Sequence, residues 1–158
     1  MPVPPPDVCR PDYRLAGPSD LAAVQQLLAA HGLIHEDVAR HLHTFVLARV
    51  GGVLAGTAGL EVHGCRGLLR SVCVAAPYRG QAIGAALCDR VEALAASLGL
   101  RELYLLTTDA EAYFARRGYR RVDRARVPAD VGRAEQFARL CPSTAVCMVR
   151  PLAAGAIA

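Results

Sequence analysis

Residues 68–87 read LLRSVCVAAPYRGQAIGAAL, and this stretch decides the fold. Its first half is apolar and β-branched, which predicts a strand over 68–74, and Pro77 predicts a turn after it. Small residues then predict a helix over 81–98. Because a helix N-terminus attracts negative charge and Arg79 adds a full positive charge, this turn is suited to hold a phosphate.

The whole pattern predicts a mixed α/β fold, with a central, mostly antiparallel sheet flanked by helices. Gly51-Gly52 predicts a tight hairpin turn, so hairpins come first and a strand–helix–strand unit follows. We expect a flexible lead-in over 1–7, a single domain over 8–151 and a tail over 152–158. The other strands are predicted at 7–15, 44–50, 53–62, 102–106, 119–122 and 145–150, and the other helices at 18–32, 35–42, 109–117 and 132–140.

The composition excludes several chemistries. The 158 residues include 18 basic side chains, and all of them are arginine. Without lysine, the chain has no Walker A phosphate loop, no pyridoxal Schiff base and no lysine nucleophile. The net charge of +4 suits an anionic small molecule, and no basic stripe with interleaved aromatic residues predicts a nucleic-acid partner. No apolar run approaches the roughly 18 residues needed to cross a bilayer, so no membrane partner is expected.

The six cysteines indicate a reducing compartment. They form no Cys-x-x-Cys pair, and the N-terminal MPVPPP has neither the charged region nor the apolar core of a secretion signal. We therefore expect reduced, mostly buried thiols and a cytoplasmic protein. The histidines at 31, 35, 41 and 43 lack a convincing set of further ligands, so no metal is expected.

Residues 79–84, RGQAIG, resemble the pyrophosphate loop of the GNAT-superfamily N-acetyltransferases, whose pattern is Arg/Gln-x-x-Gly-x-Gly/Ala. The order of the predicted elements is similar to the GNAT arrangement, and AYFARRGY at 112–119 resembles the late signature of that family. Ala82 stands where the family has its first glycine. We expect alanine to be tolerated if the position is helical, since only a positive φ makes alanine costly there.

The resemblance implies that acetyl-coenzyme A is the co-substrate and that the acceptor amine attacks its thioester directly. The backbone of Val72, Cys73 and Val74 is expected to bind the pantetheine arm, as a peptide strand joins a sheet edge. The other residues assigned to the cofactor are Arg79, Gly80, Gln81, Ala82, Ile83, Gly84, Ala85, Thr108 and Phe114.

Glu61 is the candidate general base, because it interrupts an apolar strand and lies on the face opposite Leu60 and Val62. The alternative is a solvent-facing residue of an alternating strand. The usual acid of the family is a tyrosine, but Phe114 occupies that position. Ser71, the second catalytic candidate, or Tyr113 could supply the proton instead.

Arg70 stands alone in an apolar strand, and alternation places it on one face with Val72 and Val74. An arginine in such a strand needs a partner, because burying an unpaired charge is costly. Arg70 is expected either to bind a substrate carboxylate or to pair with Glu61, and substrate binding is favoured.

A closer resemblance rests on residues 68–71, 101–108 and 137–148, which look like the arsenic-resistance N-acetyltransferases. It implies a small amino-acid-like substrate, typified by arsinothricin, which is a glutamate-like amino acid with an arsenic group. Phosphinothricin is its chemical cousin. The further candidates for substrate binding are His43, Phe45, Ser143 and Thr144.

Two other functions stay open at this stage. The first is acetylation of a different amine, such as an ordinary amino acid or a protein N-terminus, because a fold does not determine the acceptor. The second is a non-catalytic module that binds coenzyme A. GNAT relatives are often dimers, so a homodimer is the oligomeric state that the resemblance implies.

Overall fold

The computed structural model of the chain describes residues 10–134 and 144–152. The predicted lead-in over 1–7, most of the helix predicted over 132–140, Ser143 and nearly all of the tail lie outside the described residues. The extent of a single domain over 8–151 stays a prediction.

The predicted mixed α/β fold is confirmed. In the described part of the chain, the sheet has the strand order β1-β2-β3-β4-β5-β7-β6. The strands are β1 (Asp12–Leu15), β2 (Phe45–Val50), β3 (Val53–His63), β4 (Arg66–Val74), β5 (Glu102–Thr107), β6 (Arg120–Val122) and β7 (Val146–Pro151). The helices are α1 (Leu21–Ala30), α2 (Ile83–Ser97), α3 (Glu111–Arg116) and α4 (Ala129–Gly132). Short 3-10 turns lie at Pro18–Asp20, Val38–Arg40, Leu42–Thr44, Ala76–Tyr78 and Arg124–Arg126.

The helix predicted over 35–42 is wrong. Asp37 and His41 both have ψ near zero, so the chain forms two 3-10 turns in this region. Their hydrogen bonds reach back three residues rather than four, as in the bond from the His41 N–H to the Val38 carbonyl. No described helix is long and apolar enough to cross a membrane.

The described chain falls into two compact units, and β3, β4 and α2 each contribute residues to both. The first unit holds the described residues up to Gly59 together with Ser71–Arg90. In it β1 pairs antiparallel with β2, and β2 pairs antiparallel with β3. Its hydrophobic core contains Val24, Leu28, Val38, Leu42, Phe45, Leu47 and Cys73.

The second unit holds Leu60–Arg70 and the described residues from Val91 onward. In it β4 runs parallel to β5, which in turn pairs antiparallel with β7. The carboxylate of Glu92 on α2 accepts hydrogen bonds from the Arg117 guanidinium, from the Tyr119 hydroxyl at 2.9 Å and from the Arg150 guanidinium at 2.8 Å. Both oxygens of this buried carboxylate are bonded, and the three donors come from separate positions of the later chain. Glu92 therefore anchors α2 to each of these positions.

The carboxylate of Asp20 likewise joins separate positions of the first unit through hydrogen bonds. Its carboxylate is 4% exposed and accepts hydrogen bonds from the Gly17 N–H at 2.7 Å and from the Arg49 guanidinium. The Gly17 hydrogen bond, with further help from the charges of Arg14 and Arg49, holds the pKa of Asp20 below its usual value, although burial acts in the opposite direction. The charged form therefore stabilises the fold.

The variant Asp20→Asn should lower the free energy of unfolding at pH 7 by about 2 kcal/mol, because a charged hydrogen-bonding partner is lost. The pKa of Asp20 is lowered on folding, so the contribution is complete above about pH 4 and disappears as the pH falls through the native pKa. Urea unfolding between pH 7 and pH 3 measures this difference. Asp12→Asn, at an exposed position of β1, is the control. A constant gap between Asp20→Asn and the wild type across this range would contradict the assignment.

Candidate active site

The connection from β4 to α2 lies in the first unit and leaves a row of backbone amides at the start of a helix. After the 3-10 turn, Gly80 and Ala82 have φ of +80° and +61°, and α2 begins at the next residue. The first helical hydrogen bond of this region runs from the Ala86 N–H to the Ala82 carbonyl. The N–H groups of residues 83–85 therefore precede the helical ladder, as in any first turn, and can donate to a ligand.

Arg79 brings a positive charge to the same turn. Its Nε donates to the Val74 carbonyl at 3.2 Å, which ties the side chain to the end of β4. The residues of the loop, Arg79, Gly80, Gln81 and Ala82, are all exposed. No heavy atom outside the local chain lies within 4 Å of the position that a Cβ would take at Gly80. The loop thus combines accessible amides, a tethered cation and open space, which is a suitable arrangement for a phosphate.

The expectation that Ala82 is helical is wrong. Its φ of +61° places it in the left-handed region, immediately before the helix. A left-handed conformation costs an alanine about 1–2 kcal/mol, because the Cβ crowds the neighbouring carbonyl. Ala82, which stands where the GNAT loop pattern has a glycine, is therefore strained. Helix α2 begins at Ile83, two residues later than the sequence predicts.

The variant Ala82→Gly should raise the free energy of unfolding by about 0.5–1 kcal/mol, since relief of left-handed strain exceeds the entropic cost of glycine. The matched control is Ala86→Gly, which lies within α2 and should instead lower stability by about 1 kcal/mol. Urea unfolding of the two variants measures the opposite signs. A loss of stability in both would show that Ala82 is not strained.

The second half of β4 departs from a regular strand. Ser71 has a φ of +56°, and a left-handed residue within a strand is typical of a β-bulge. The regular alternation on which the shared face of Arg70, Val72 and Val74 depends is therefore interrupted at Ser71, because alternation requires consecutive extended residues. Val72 and Val74 are half-buried, and Cys73 between them is buried.

The buried cysteines of the site region are not poised to react. Burial raises the pKa of the Cys73 thiol, although the charge of Arg79 partly offsets the effect. In the second unit, burial raises the pKa of Cys147 to about 11. Both thiols stay protonated near neutral pH, and it is the thiolate that acts as nucleophile or metal ligand.

Glu61 and Arg70 form a buried ion pair in the second unit. The Arg70 Nη1 donates to Glu61 Oε2 at 2.9 Å, and the two residues are 3% and 2% exposed respectively. Glu61 Oε1 lies 3.1 Å from His63 Nε2. The alternative of a solvent-facing Glu61 is therefore wrong, and the structural partner weighed for Arg70 is present. A direct role of Arg70 in substrate binding stays a prediction.

The remaining candidates lie in different surroundings. Phe45 has no exposed surface and packs in the core of the first unit, so it does not line an accessible opening. His43, Thr108 and Thr144 are exposed, whereas Ser143 lies outside the described residues. Phe114 is buried, and its ring meets the ring of Tyr113 edge-on at 5.1 Å between centroids.

The remaining cofactor positions lie at the start of α2. Ile83 is 1% exposed, so its side chain is not available to a ligand, whereas Gly84 and Ala85 are half-buried. A Cβ at Gly84 would lie 3.6 Å from Val74 Cγ2, which is an ordinary contact. Packing within the protein therefore does not require glycine at this position.

The sequence interpretation missed Thr57. This residue is fully buried on β3, and its hydroxyl donates to the Ser71 carbonyl at 2.8 Å. The sequence signal that could have indicated Thr57 is a single threonine within an apolar strand. Its partner depends on the bulge in β4, which the alternation of residues did not reveal.

With this geometry in place, comparison with known proteins identifies the family. Residues 10–123 match the acetyltransferase (GNAT) family, and the chain belongs to it. An amino-acid acetyltransferase of Mycobacterium tuberculosis is 30% identical over 85% of this chain and 80% of its own length. An uncharacterized N-acetyltransferase of Chlorobaculum tepidum is 25% identical over 80% of this chain and 84% of its own length. The predicted enzyme class, an acetyltransferase, is confirmed.

Solved structures support the same fold. N-acetylglutamate synthase from Neisseria gonorrhoeae, complexed with coenzyme A and N-acetyl-glutamate, superposes with a TM-score of 0.79 at 19% identity over 92% of this chain. This chain spans 36% of that longer protein. A Mycobacterium tuberculosis protein in complex with coenzyme A has a TM-score of 0.75 at 24% identity, over 90% of this chain and 99% of its own. At these identities the likeness establishes the fold.

Proposed function

We propose that this protein transfers the acetyl group of acetyl-coenzyme A to the amino group of a small amino-acid-like acceptor. The observation that carries the proposal is the loop between β4 and α2, with its exposed residues 79–82, its left-handed residues and Arg79 bonded to the Val74 carbonyl. The diphosphate of coenzyme A is an anion of the size that such a helix N-terminus binds. The two structural neighbours described above, both solved with coenzyme A, support this choice of co-substrate.

The described residues fit distinct roles in this reaction. The amides of residues 83–85 and the Arg79 guanidinium bind the diphosphate, and the backbone of Val72–Val74 binds the pantetheine arm. When bound, acetyl-coenzyme A supplies a thioester whose carbonyl carbon the amine attacks, with loss of the amine proton and release of the thiol. Glu61 accepts that proton through water.

The thiol of coenzyme A can leave with little assistance from a general acid. A thiol ordinarily titrates near pH 8.5, so its thiolate is a tolerable leaving group at neutral pH. Ser71 remains the candidate for protonating it, and Tyr113 is the alternative. The buried Phe114 cannot donate a proton, so it serves as an apolar wall for the co-substrate in this proposal.

The acceptor we favour is a glutamate-like amino acid. The 30% identity to an amino-acid acetyltransferase supports an amino acid in general. Within that class we propose arsinothricin, because residues 68–71, 101–108 and 137–148 resemble the arsenic-resistance enzymes, although 137–143 lie outside the described residues. Arg70, His43, Ser143 and Thr144 stay the predicted substrate residues. Arg70 and Phe45 are both buried, so each would have to become uncovered to contact the substrate. A cytoplasmic location and a homodimer belong to the same proposal.

A thiol-release assay with acetyl-coenzyme A distinguishes the acceptors. The panel contains arsinothricin, phosphinothricin, glutamate, other common amino acids and a peptide with a free N-terminus. We expect turnover on arsinothricin with the highest kcat/KM. Turnover confined to glutamate or another amine would retain the acetyltransferase and reject the arsenical acceptor. Binding of acetyl-coenzyme A without turnover on any amine would identify a non-catalytic module.

The role of the loop can be tested with two matched glycines. Gly80 and Gly99 have φ of +80° and +78°, and no heavy atom outside the local chain lies within 4 Å of a Cβ at either position. Gly80→Ala and Gly99→Ala should therefore lose similar stability, about 1–2 kcal/mol each. Only Gly80→Ala should weaken coenzyme A binding, by about tenfold or more, because its Cβ blocks the approach of the diphosphate to the backbone.

Isothermal titration calorimetry with coenzyme A measures the affinity of each variant, and urea unfolding measures its stability. If Gly80→Ala and Gly99→Ala bound coenzyme A equally well, the diphosphate would have to lie elsewhere.

A further inference from the structure

Thr57 lies at a position where burying an unbonded hydroxyl would cost free energy. It has no exposed surface, and its neighbours along β3 from Ala55 to Leu60 are small or apolar and buried. A buried hydroxyl costs free energy unless it is bonded. Its bond runs to the Ser71 carbonyl at 2.8 Å, a residue of the same compact unit. The hydroxyl therefore has a specific partner on β4.

That partner is the strained residue of β4. Ser71 has a φ of +56°, and a left-handed conformation costs a residue with a side chain about 1–3 kcal/mol. Such a conformation persists only where surrounding contacts stabilise it. The hydroxyl of Thr57 provides one such contact, because it fixes the direction of the Ser71 carbonyl.

The two residues before Thr57 hold the rest of the same segment. The Ala55 carbonyl accepts the Ala75 N–H at 2.8 Å. A Cβ at Gly56 would lie only 2.9 Å from the Cys73 carbonyl oxygen, so the absence of a side chain allows the two backbones to approach. Ala55, Gly56 and Thr57 of β3 thus lie against Ala75, Cys73 and Ser71, and Thr57 contacts its partner through a side-chain hydrogen bond.

We propose that Thr57 is a positioning residue for acetyl transfer. It holds Ser71 in the left-handed conformation and thereby sets the direction of the peptide groups of Val72–Val74. This inference rests on the proposed function, in which those peptide groups bind the pantetheine arm and the thioester carbonyl. Thr57 acts through the backbone and has no contact with the reacting atoms.

The first test removes the hydroxyl at nearly constant shape. Thr57→Val should lower kcat/KM for acetyl-coenzyme A by about tenfold or more, because small misplacements of bound reactants are costly in rate. Thr57→Ser keeps the hydroxyl and should stay within about threefold of the wild type. The control is Ser97→Ala, which removes a hydroxyl bonded to the Leu94 carbonyl at 2.7 Å at the end of α2 and should leave kcat/KM unchanged.

The second test asks whether Thr57 acts through the conformation of Ser71. Ser71→Gly relieves the left-handed strain, so Thr57→Val should lower the free energy of unfolding less in the Ser71→Gly background than in the wild type. The loss of kcat/KM caused by Thr57→Val should also shrink in that background, because glycine adopts the left-handed conformation without help from the hydroxyl. Comparison with Ser71→Gly alone accounts for any catalytic role of the serine side chain.

The outcomes distinguish this inference from the proposed function. If the wild type turns over and Thr57→Val keeps its kcat/KM, or if the loss of kcat/KM is undiminished in the Ser71→Gly background, the positioning role is rejected and the acetyltransferase stands. If the wild type neither binds nor turns over acetyl-coenzyme A, the proposed function fails and this inference fails with it.

Discussion

Positive φ at three positions, Ser71, Gly80 and Ala82, is the constraint on which the candidate site depends. The first interrupts the alternation of β4, and the other two bring the chain into α2 with its first amides facing outward from the helix. Two of the three residues carry side chains, so the turns store strain that the neighbouring contacts must offset.

In segment 71–74, side chains bond two backbone carbonyls. The Thr57 hydroxyl bonds the carbonyl of Ser71, and the Arg79 guanidinium bonds the carbonyl of Val74. Both ends of the short segment 71–74 are therefore fixed by a donor from outside the strand ladder. A segment held in this way keeps its peptide groups in one orientation, which is what a ligand bound by main-chain hydrogen bonds requires.

Arginine side chains pair with the buried carboxylates, and Arg79 supplies the positive charge of the loop between β4 and α2. The buried carboxylates of Asp20, Glu61 and Glu92 each pair with at least one guanidinium. A planar guanidinium offers several donors in a fixed geometry, and it is less strongly hydrated than the lysine ammonium, so it is better suited to a buried pair. The absence of lysine from the sequence therefore excludes lysine chemistry without removing the means to neutralise buried acids.

The sequence by itself determined the order of most elements and the position of the turn that we propose binds phosphate. Apolar periodicity and glycine or proline turns are local signals, and RGQAIG between a strand and a helix needed no tertiary information. The helix predicted over 35–42 is wrong because 3-10 turns and a short α-helix give the same pattern of apolar residues.

Only the tertiary structure decided the sign of φ at Ser71 and Ala82 and the partners of Arg70 and Thr57. A left-handed alanine or serine is locally unfavourable, so contacts with residues distant in the sequence must select it, and those contacts exist only in the folded chain.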